Sequence, residues 1–237
     1  MVMEGSSLPP EAYGALIFAV SAVIAYFCGC FNGAVIVSKY ILRDDIRNHG
    51  SGNAGLTNFH RTFGGFLTFV VILCDVLKAV AALLIASWLA GGFDPRIMPD
   101  APLENPETYV MLFKYWAALF CLLGHMFPCM FHFKGGKGIL SGGTIAIMVD
   151  WRVALVVWGG FLILVILTRY VSLGSLWAGA SFPFATWIFH PGTSAPEPAI
   201  VVLGFICGGL VVWQHRGNAR RLLSGTERRL SFHKKEE

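Results

Sequence analysis

Residues 50–90 read GSGNAGLTNFHRTFGGFLTFVVILCDVLKAVAALLIASWLA, a polar run followed by a long apolar one. The apolar part, from about residue 63 to residue 90, exceeds the roughly 20 residues that a helix needs to cross a bilayer. The polar part, residues 50–61, holds glycines, small hydroxyls, amides and a terminal arginine, which beside a membrane must stay wet or bind a ligand. This stretch therefore predicts a membrane helix preceded by a loop suited to an anion.

The whole chain has the composition of an integral membrane protein. Its 237 residues are 55% hydrophobic and 14% charged, with a mean hydropathy of +0.63, whereas soluble domains carry about 25% charged residues. We expect an all-α integral membrane protein with a single domain over residues 1–237, including a short N-terminal tail (1–12) and a basic C-terminal tail (214–237). Apolar segments fall at about 13–40, 63–90, 109–131, 139–150, 152–168, 174–189 and 199–213.

Two topologies are possible, because residues 139–168 could form one helix, giving six spans, or two helices, giving seven. The distribution of charge decides between them. Cytoplasmic loops carry an excess of Lys and Arg. Seven spans put most cations on one side, whereas six would put the basic tail opposite the first two basic clusters. We therefore expect about seven transmembrane helices, N-terminus outside and C-terminus cytoplasmic, although segment 139–150 is short for a full crossing. The cations on the predicted cytoplasmic side are Lys39, Arg43, Arg47, Arg61, Lys134, Lys137, Arg169, Arg216, Arg220, Arg221, Arg228, Arg229, Lys234 and Lys235.

Neither a cleaved signal peptide nor a metal site is indicated. The N-terminus lacks a positive region and carries Glu4 and Glu11, so we expect the first apolar helix to be retained. All six cysteines fall inside apolar segments without metal-ligand spacing, and we interpret them as buried small hydrophobes. No metal and no cofactor are predicted.

The glycine-rich loop (residues 50–61) is the first candidate binding segment. Hydroxyls and amides supply donors and acceptors, and an arginine can grip a phosphate through two parallel hydrogen bonds. The alternative is a plain connector with local Asn and Ser turns. The candidate substrate-binding residues of this loop are Ser51, Gly52, Asn53, Thr57, Asn58 and Arg61.

The KGGKG loop (residues 134–138) is the second candidate. Its glycines let the backbone approach a ligand closely, and it precedes an apolar helix whose first N–H groups can bind an anion. The alternative is a basic turn that only sets topology. The candidate binding residues are Lys134, Gly135, Gly136, Lys137 and Gly138, and the sequence does not decide which lysine contacts the anion.

The basic tail is the third candidate, since residues 215–225 are predicted to form a short interfacial helix. His215 and Asn218 lie three residues apart on one helix face, so they can point at one ligand. Arg216, on another face, is a further candidate binding residue. The alternative is a basic helix attracted to anionic lipid.

Charged and polar groups also occur within the apolar segments. Asp75 and Lys78 lie three residues apart at membrane depth, where charges usually pair or line a wet cavity. We expect them to form a supporting ion pair and His125 to orient the loops. Asn32 is interpreted as a packing residue. The predicted topology places all three candidate segments on one face, which indicates a single pocket for a small polar phosphate.

Ordered sequence matches extend this interpretation. They comprise Asp45-Ile46-Arg47, GSGNAGLTNFHR (50–61), Asp75-x-x-Lys78, Gly124-His125 with Phe127-Pro128, FKGGKG (133–138), RYVSLGS (169–175) and HR-x-N-x-RRLLSGTE (215–227). In these residues the chain resembles the bacterial acyl-phosphate:glycerol-3-phosphate acyltransferases, the PlsY family, from about residue 26 to 229.

The resemblance implies transfer of a fatty acyl group from acyl phosphate to the 1-hydroxyl of glycerol 3-phosphate, giving lysophosphatidic acid. It implies that Ser51, Arg61 and the KGGKG loop hold the substrate phosphate, that His215 and Asn218 act near the reacting groups, and that Glu227 supports them. It further implies a bacterial inner membrane, an active site on the cytoplasmic face, and membrane lipid and the soluble enzyme that makes acyl phosphate as partners. Nucleic acid is not an expected partner.

Two questions stay open at this level. The proton acceptor is either His215 or the substrate's own phosphate, whose second pKa is near 6. A transporter of an organic phosphate and a non-catalytic lipid-binding protein are the competing functions. Transporters show repeated halves and sites near the midplane, and the chain shows neither sign.

Overall fold

The computed structural model describes residues 10–91, 106–190 and 197–230, and in these ranges it contains helices and no strand. Turns of π- or 3₁₀-helix cover Val37–Ile41, Ile46–Asn48 and Cys129–Phe131. The α-helices are α1 (Pro10–Cys30), α2 (Gly33–Ile36), α3 (Leu56–Thr62), α4 (Gly65–Gly91), α5 (Pro106–Met126), α6 (Ile139–Val149), α7 (Trp151–Thr168), α8 (Val171–Phe189), α9 (Glu197–Gln214) and α10 (Arg216–Leu223).

Five of these helices are long and apolar enough to cross a membrane, namely α1, α4, α5, α7 and α9. The expected all-α membrane architecture is confirmed. Helix α6 has 11 residues, a length of about 16 Å at 1.5 Å per residue, so by itself it is shorter than a hydrocarbon core of roughly 30 Å. The count of seven spans and the orientation of the termini stay predictions, as does the single-domain assignment. The tail segments 1–9 and 231–237 lie outside the described residues.

Two boundaries inside the apolar segments come from side chains that cap helices. Segment 13–40 is not one helix, because Asn32 has an extended backbone and its side chain accepts a hydrogen bond from the Val35 N–H, which starts α2. Segment 139–168 is also divided. Asp150 ends α6 in an extended conformation and accepts from the Arg152 N–H at 2.8 Å, which starts α7. The merged helix of the six-span alternative is therefore absent.

Helix α5 lies at the centre of the bundle and packs against α1, α4, α6 and α9. It touches α1 backbone to backbone: a Cβ atom on Gly124 would overlap the carbonyl oxygen of Tyr26, and one on Gly29 would overlap that of Cys121. Small residues allow such close approach between membrane helices, where dispersion contacts replace a hydrophobic driving force. This contact holds the end of α5 close to the end of α1, directly below the polar loops.

The outer faces of the helices are apolar. Large apolar side chains on these faces are at least 66% exposed, namely Phe66 and Trp88 on α4 and Leu155, Ile166 and Leu167 on α7. Such a continuous apolar exterior is expected for helices surrounded by lipid, whereas soluble proteins rarely expose apolar patches of this extent.

The α1–α5 contact predicts that Gly124→Ala lowers the melting temperature. The added methyl group has no room, and overpacking a well-packed core costs about 1–3 kcal/mol. Gly159→Ala is the matched control, since nothing lies within 4 Å of a Cβ at this α7 position and alanine favours a helix by about 1 kcal/mol over glycine. Thermal unfolding of both variants in detergent checks this, and equal melting temperatures would contradict the close contact.

Candidate active site

The three candidate segments meet around one cavity of about 620 Å³. The glycine-rich loop and α3 form one wall, the start of α6 and part of α7 a second, and the start of α8 with the tail a third. The polar residues of the lining are Ser51, Asn53, Thr57, Asn58, Arg61, Thr62, Asp75, His125, Lys137, Ser172, Ser175, His215, Asn218, Arg221, Thr226, Glu227 and Arg228.

Asn58 organises the glycine-rich loop from within. Its side-chain amide donates to the carbonyl oxygens of His49 and Asn53 at 3.0 and 3.1 Å, and its Oδ1 accepts from the Ser51 N–H at 3.0 Å. A third acceptor, the carbonyl of Ile46, lies at 3.3 Å. These bonds use the polar atoms of the side chain and give Asn58 a role in shaping the loop, while its expected contact with the substrate stays a prediction.

The other members of the glycine-rich loop divide into two groups. Ser51, Asn53, Thr57 and Arg61 line the cavity, and Arg61 has no hydrogen bond or ion pair to any residue that the structure describes. Gly52 does not line the cavity. It has φ +69°, and its N–H donates to the His49 carbonyl at 2.9 Å, so its role is to form the turn.

The KGGKG loop uses its two adjacent glycines for packing. The Gly135 N–H donates to the Met126 carbonyl and the Gly136 N–H to the His125 carbonyl, both at 3.1 Å. A Cβ on either glycine would overlap the end of α5. These N–H groups are therefore not available to an anion, contrary to the expectation. Lys134 is exposed and outside the cavity lining.

Lys137 and Gly138 are the members of the KGGKG loop that reach the cavity. Gly138 adopts φ +80° and begins α6, whose first residues, Ile139 and Leu140, also line the cavity. Lys137 donates from Nζ to Oδ1 of Asn218. Burial and then the charge of Arg221 lower the pKa of Lys137 to about 8, while Glu227 opposes the shift.

Asn218 and Glu227 connect this lysine to the tail. The Asn218 amide donates to Glu227 Oε1 at 2.9 Å, and Arg221 Nε donates to Glu227 Oε2 at 2.6 Å. Burial alone would raise the pKa of Glu227, but these hydrogen bonds outweigh it and lower the pKa. Glu227 thus links Asn218 to Arg221, and its expected supporting role stays a prediction.

His215 is a neutral hydrogen-bond acceptor in this environment. Its Nδ1 lies 2.8 Å from the Val211 carbonyl oxygen, and since a carbonyl carries no hydrogen, Nδ1 is the donor and Nε2 keeps its lone pair. The side chain is 3% exposed. Burial, with a further contribution from Lys137, lowers the pKa of His215 to about 4.

A buried polar triad lies beneath the cavity. Lys78 Nζ is 2.6 Å from Asp75 Oδ1 and 2.6 Å from His125 Nδ1, and it donates to the Phe31 carbonyl at 3.3 Å. All three side chains are at most 5% exposed. The expected ion pair is present, and it joins α4, α5 and the turn after α1.

Arg216 lies away from the cavity, contrary to its predicted role in binding. It stacks on the Trp213 ring at 4.2 Å and donates to the Trp213 carbonyl at 2.9 Å. A guanidinium over an indole ring is a favourable cation–π contact. Arg216 therefore holds the start of α10 against the end of α9.

Several lining residues were not singled out from the sequence. Ser172 is 5% exposed and lies beside the Glu227 carboxylate, whose pKa its hydroxyl helps to lower. Arg221, Thr226 and Arg228 were visible only as part of a basic tail, where no pattern separates cavity residues from surface ones. Asn32, interpreted as packing, also donates to the Ala54 carbonyl at 3.1 Å and so positions the glycine-rich loop. In the described part of the chain, no three His, Cys, Asp or Glu residues are grouped to hold a metal ion.

Comparisons with known proteins match most of the chain. Residues 19–225 match the family model described as glycerol-3-phosphate acyltransferase. Relatives with that name from Thermoanaerobacter pseudethanolicus and Proteus mirabilis are 36% and 34% identical, covering 89% and 90% of this chain and 94% and 85% of their own lengths.

Solved structures agree with these sequence matches. A crystal structure of PlsY (YgiH), an integral membrane glycerol 3-phosphate acyltransferase, in its glycerol 3-phosphate form has a TM-score of 0.72 at 29% identity. The structural match covers 90% of this chain and 96% of the PlsY chain. The structure of the same protein in its lysophosphatidic acid form has a TM-score of 0.70 at 28% identity, and the match covers 90% of this chain and 95% of that protein's chain.

The hydrogen bonds of Asn58 predict that Asn58→Ala opens the glycine-rich loop. The change leaves the carbonyl groups of His49 and Asn53 without their hydrogen-bond donor, and each lost hydrogen bond costs about 1 kcal/mol. Asn48→Ala is the control, because Asn48 is exposed and no side-chain bond holds it within the described residues. We expect limited proteolysis to cut the Asn58→Ala loop faster than wild type and the Asn48→Ala loop at the wild-type rate. Equal cleavage of both variants would exclude this role.

Proposed function

Because the chain belongs to the PlsY-type family of integral membrane glycerol-3-phosphate acyltransferases, we propose that its acyl donor is acyl phosphate and its product lysophosphatidic acid. The observation that carries the proposal is the convergence of the three polar segments on one cavity. Unpaired cations and neutral hydrogen-bonding groups line it together, which suits a substrate that carries both a phosphate and hydroxyls.

An apolar groove beside the cavity supports a lipid substrate. It shares Gly138 and Ile139 with the cavity and continues between α5, α6, α8 and α9 past Gly179, Phe182 and Gly208. The groove is narrow, with a volume of about 30 Å³, because α8 and α9 touch at Gly179 and Gly208, where an added Cβ would overlap Val211 or Pro183. An acyl chain that entered it would have to part these helices, and its activated carbonyl would then lie near Gly138 at the polar cavity.

The substrate phosphate is assigned to Ser51, Arg61 and Lys137. Arg61 offers two parallel N–H groups, Lys137 a point charge, and Ser51 a hydroxyl donor. The first turn of α6 adds backbone N–H groups and the positive end of its dipole. Among the two lysines of the KGGKG loop, Lys137 is preferred because it lines the cavity and Lys134 does not.

The reaction needs alignment and charge stabilisation more than a strong base. The glycerol hydroxyl oxygen attacks the acyl carbonyl carbon, an ester bond forms, the bond from that carbon to the phosphate oxygen breaks, and inorganic phosphate leaves. We assign the orientation of the hydroxyl to His215, with Nε2 as acceptor, and to the second amide N–H of Asn218, whose Oδ1 is bonded to Lys137 and whose other amide N–H is bonded to Glu227. With a pKa of about 4, His215 is a weaker base than the substrate phosphate, whose second pKa is near 6. The phosphate is therefore the favoured proton acceptor.

The same proposal includes a place in the cell. An excess of cations around the cavity favours its facing the cytoplasm of a bacterial inner membrane. Acyl phosphate would come from the soluble enzyme that makes it, and the product would leave into membrane lipid.

Activity of the purified protein in lipid tests the proposal directly. Acyl phosphate and glycerol 3-phosphate together should yield lysophosphatidate and inorganic phosphate, and acyl-CoA in place of acyl phosphate should yield little. Product from acyl-CoA alone would refute the proposed donor. Uptake of labelled glycerol 3-phosphate into sealed vesicles without lipid product would refute the enzyme and favour a transporter.

Arg61→Ala is expected to raise the KM for glycerol 3-phosphate by about tenfold to a hundredfold. A hydrogen bond to a charged group is worth about 1.5–3 kcal/mol, and 1.4 kcal/mol corresponds to tenfold. Lys137→Ala should act similarly, whereas Lys134→Ala removes the same charge outside the cavity and should leave the KM unchanged. Steady-state kinetics at saturating acyl donor measures this, and an effect of Lys134→Ala equal to that of Lys137→Ala would reverse the assignment.

The kcat/KM for glycerol 3-phosphate should fall as the pH rises through about 8. Lys137 is charged below its lowered pKa of about 8 and neutral above it, and kcat/KM reports groups of the free enzyme. On the acid side, His215 stays neutral until about pH 4 and should cause no loss between pH 5 and 7. Lys137→Arg, which keeps its charge, should move the alkaline decline above pH 9. An unchanged decline in Lys137→Arg would assign it to another group.

A further inference from the structure

The end of the tail folds back over the cavity. This tail segment (residues 224–230) is tied to the turn between α7 and α8 at its far end, where the Leu230 N–H donates to the Arg169 carbonyl at 2.7 Å and Arg229 Nε donates to the Tyr170 hydroxyl at 3.1 Å. At its near end, Glu227 is held by Asn218 and Arg221. The backbone around residue 228 is therefore fixed on both sides.

Arg228 lies between these anchors and lines the cavity, yet its side chain makes no hydrogen bond or ion pair with any described residue. Its neighbours are bonded, since Glu227 pairs with Arg221 and Arg229 stacks on Tyr170. An arginine held in place without an acceptor suits an anionic ligand, because its planar guanidinium is a preorganised donor for phosphate.

Arg228 and Arg61 are charged neighbours among the residues that line the cavity. Burial and then the charge of Arg228 lower the pKa of Arg61, while Glu227 opposes the shift, so the two guanidinium groups repel each other in the free protein. The cationic neighbour of Lys137 is Arg221, and Glu227 again opposes the shift. A dianion bound between Arg61 and Arg228 would relieve their repulsion.

The charge balance of the cavity also favours a third binding cation. Arg221 is neutralised by Glu227, and Asp75 by Lys78. Among the described lining residues, this leaves Arg61, Lys137 and Arg228 without a carboxylate partner. The proposed reaction brings in two phosphate groups, each carrying up to about −2, so two cations alone would leave about half of that charge uncompensated.

We propose that Arg61 and Arg228 together bind one phosphate dianion, with Arg228 supplied by the tail segment as a substrate-binding residue. The proposal rests on the proposed function for the identity of the substrates. Because Arg61 is assigned to glycerol 3-phosphate above, the phosphate of that substrate is the expected ligand; the alternative source, which the experiment separates, is acyl phosphate, which releases its phosphate as inorganic phosphate. Two guanidinium groups can bind one phosphate through four N–H donors, which is stronger and more directional than a single contact.

The decisive experiment compares Arg228→Gln with Arg220→Gln. Arg220 is exposed on α10, does not line the cavity, and gives the same change of charge in the same tail. We expect Arg228→Gln to raise the KM for one of the two substrates by about tenfold to a hundredfold, with a smaller change in kcat, and Arg220→Gln to match wild type. Whichever KM rises identifies the source of the phosphate. Arg228→Lys should recover part of the loss.

Binding of inorganic phosphate gives a second measurement that does not need turnover. Phosphate should raise the melting temperature of wild type and of Arg220→Gln, and should raise that of Arg228→Gln much less, while all three melt alike without phosphate. If Arg228→Gln equals Arg220→Gln in both measurements, the arginine pair is refuted. A wild-type protein that is stabilised by phosphate through Arg228 but makes no lysophosphatidate would refute the proposed function and leave the arginine pair standing.

Discussion

The buried contact of Lys78 with Asp75 and His125 joins the membrane helices to the cavity. Asp75 and Lys78 lie on α4 and His125 on α5, and Lys78 also donates to the Phe31 carbonyl just after α1. Breaking a buried ion pair by removing one partner costs about 3–5 kcal/mol, because the other charge stays buried. The carbonyl of His125 in turn accepts the Gly136 N–H, so this contact sets the position of the KGGKG loop.

Polar groups around the cavity separate into those that shape loops and those that remain available. One group forms hydrogen bonds to backbone partners and consists of Asn32, Asn58, Gly135 and Gly136. Their bonds hold two irregular loops next to a membrane, where an unpaired backbone group is costly. The remaining groups, chiefly Arg61, Lys137 and Arg228, line the cavity with few or no protein partners and are therefore available to a ligand.

Much of this arrangement could be predicted from sequence, and the failures have physical reasons. Apolar length located the helices, and the chemistry of Arg61, Lys137 and His215 marked the cavity, because these signals are local. The packing role of Gly135 and Gly136 could not be seen, since a glycine that binds an anion and one that avoids a clash look alike in sequence. Arg216 and Arg228 also look alike in sequence, as two arginines of a basic tail. In the structure, Arg216 stacks on Trp213, whereas the fold of residues 224–230 brings Arg228 to the cavity.

The electrostatics of the cavity fit an activated donor. A strong general base would need a pKa near the working pH, whereas burial lowers the pKa of His215 to about 4. In the proposed reaction the unpaired cations would share one cavity with the breaking anhydride bond, and preorganised positive charge of this kind stabilises a transition state without further rearrangement. A cation that contacts the leaving phosphate would also favour its departure. Binding and catalysis would then depend on the same charges, which explains why these residues have so few partners within the protein.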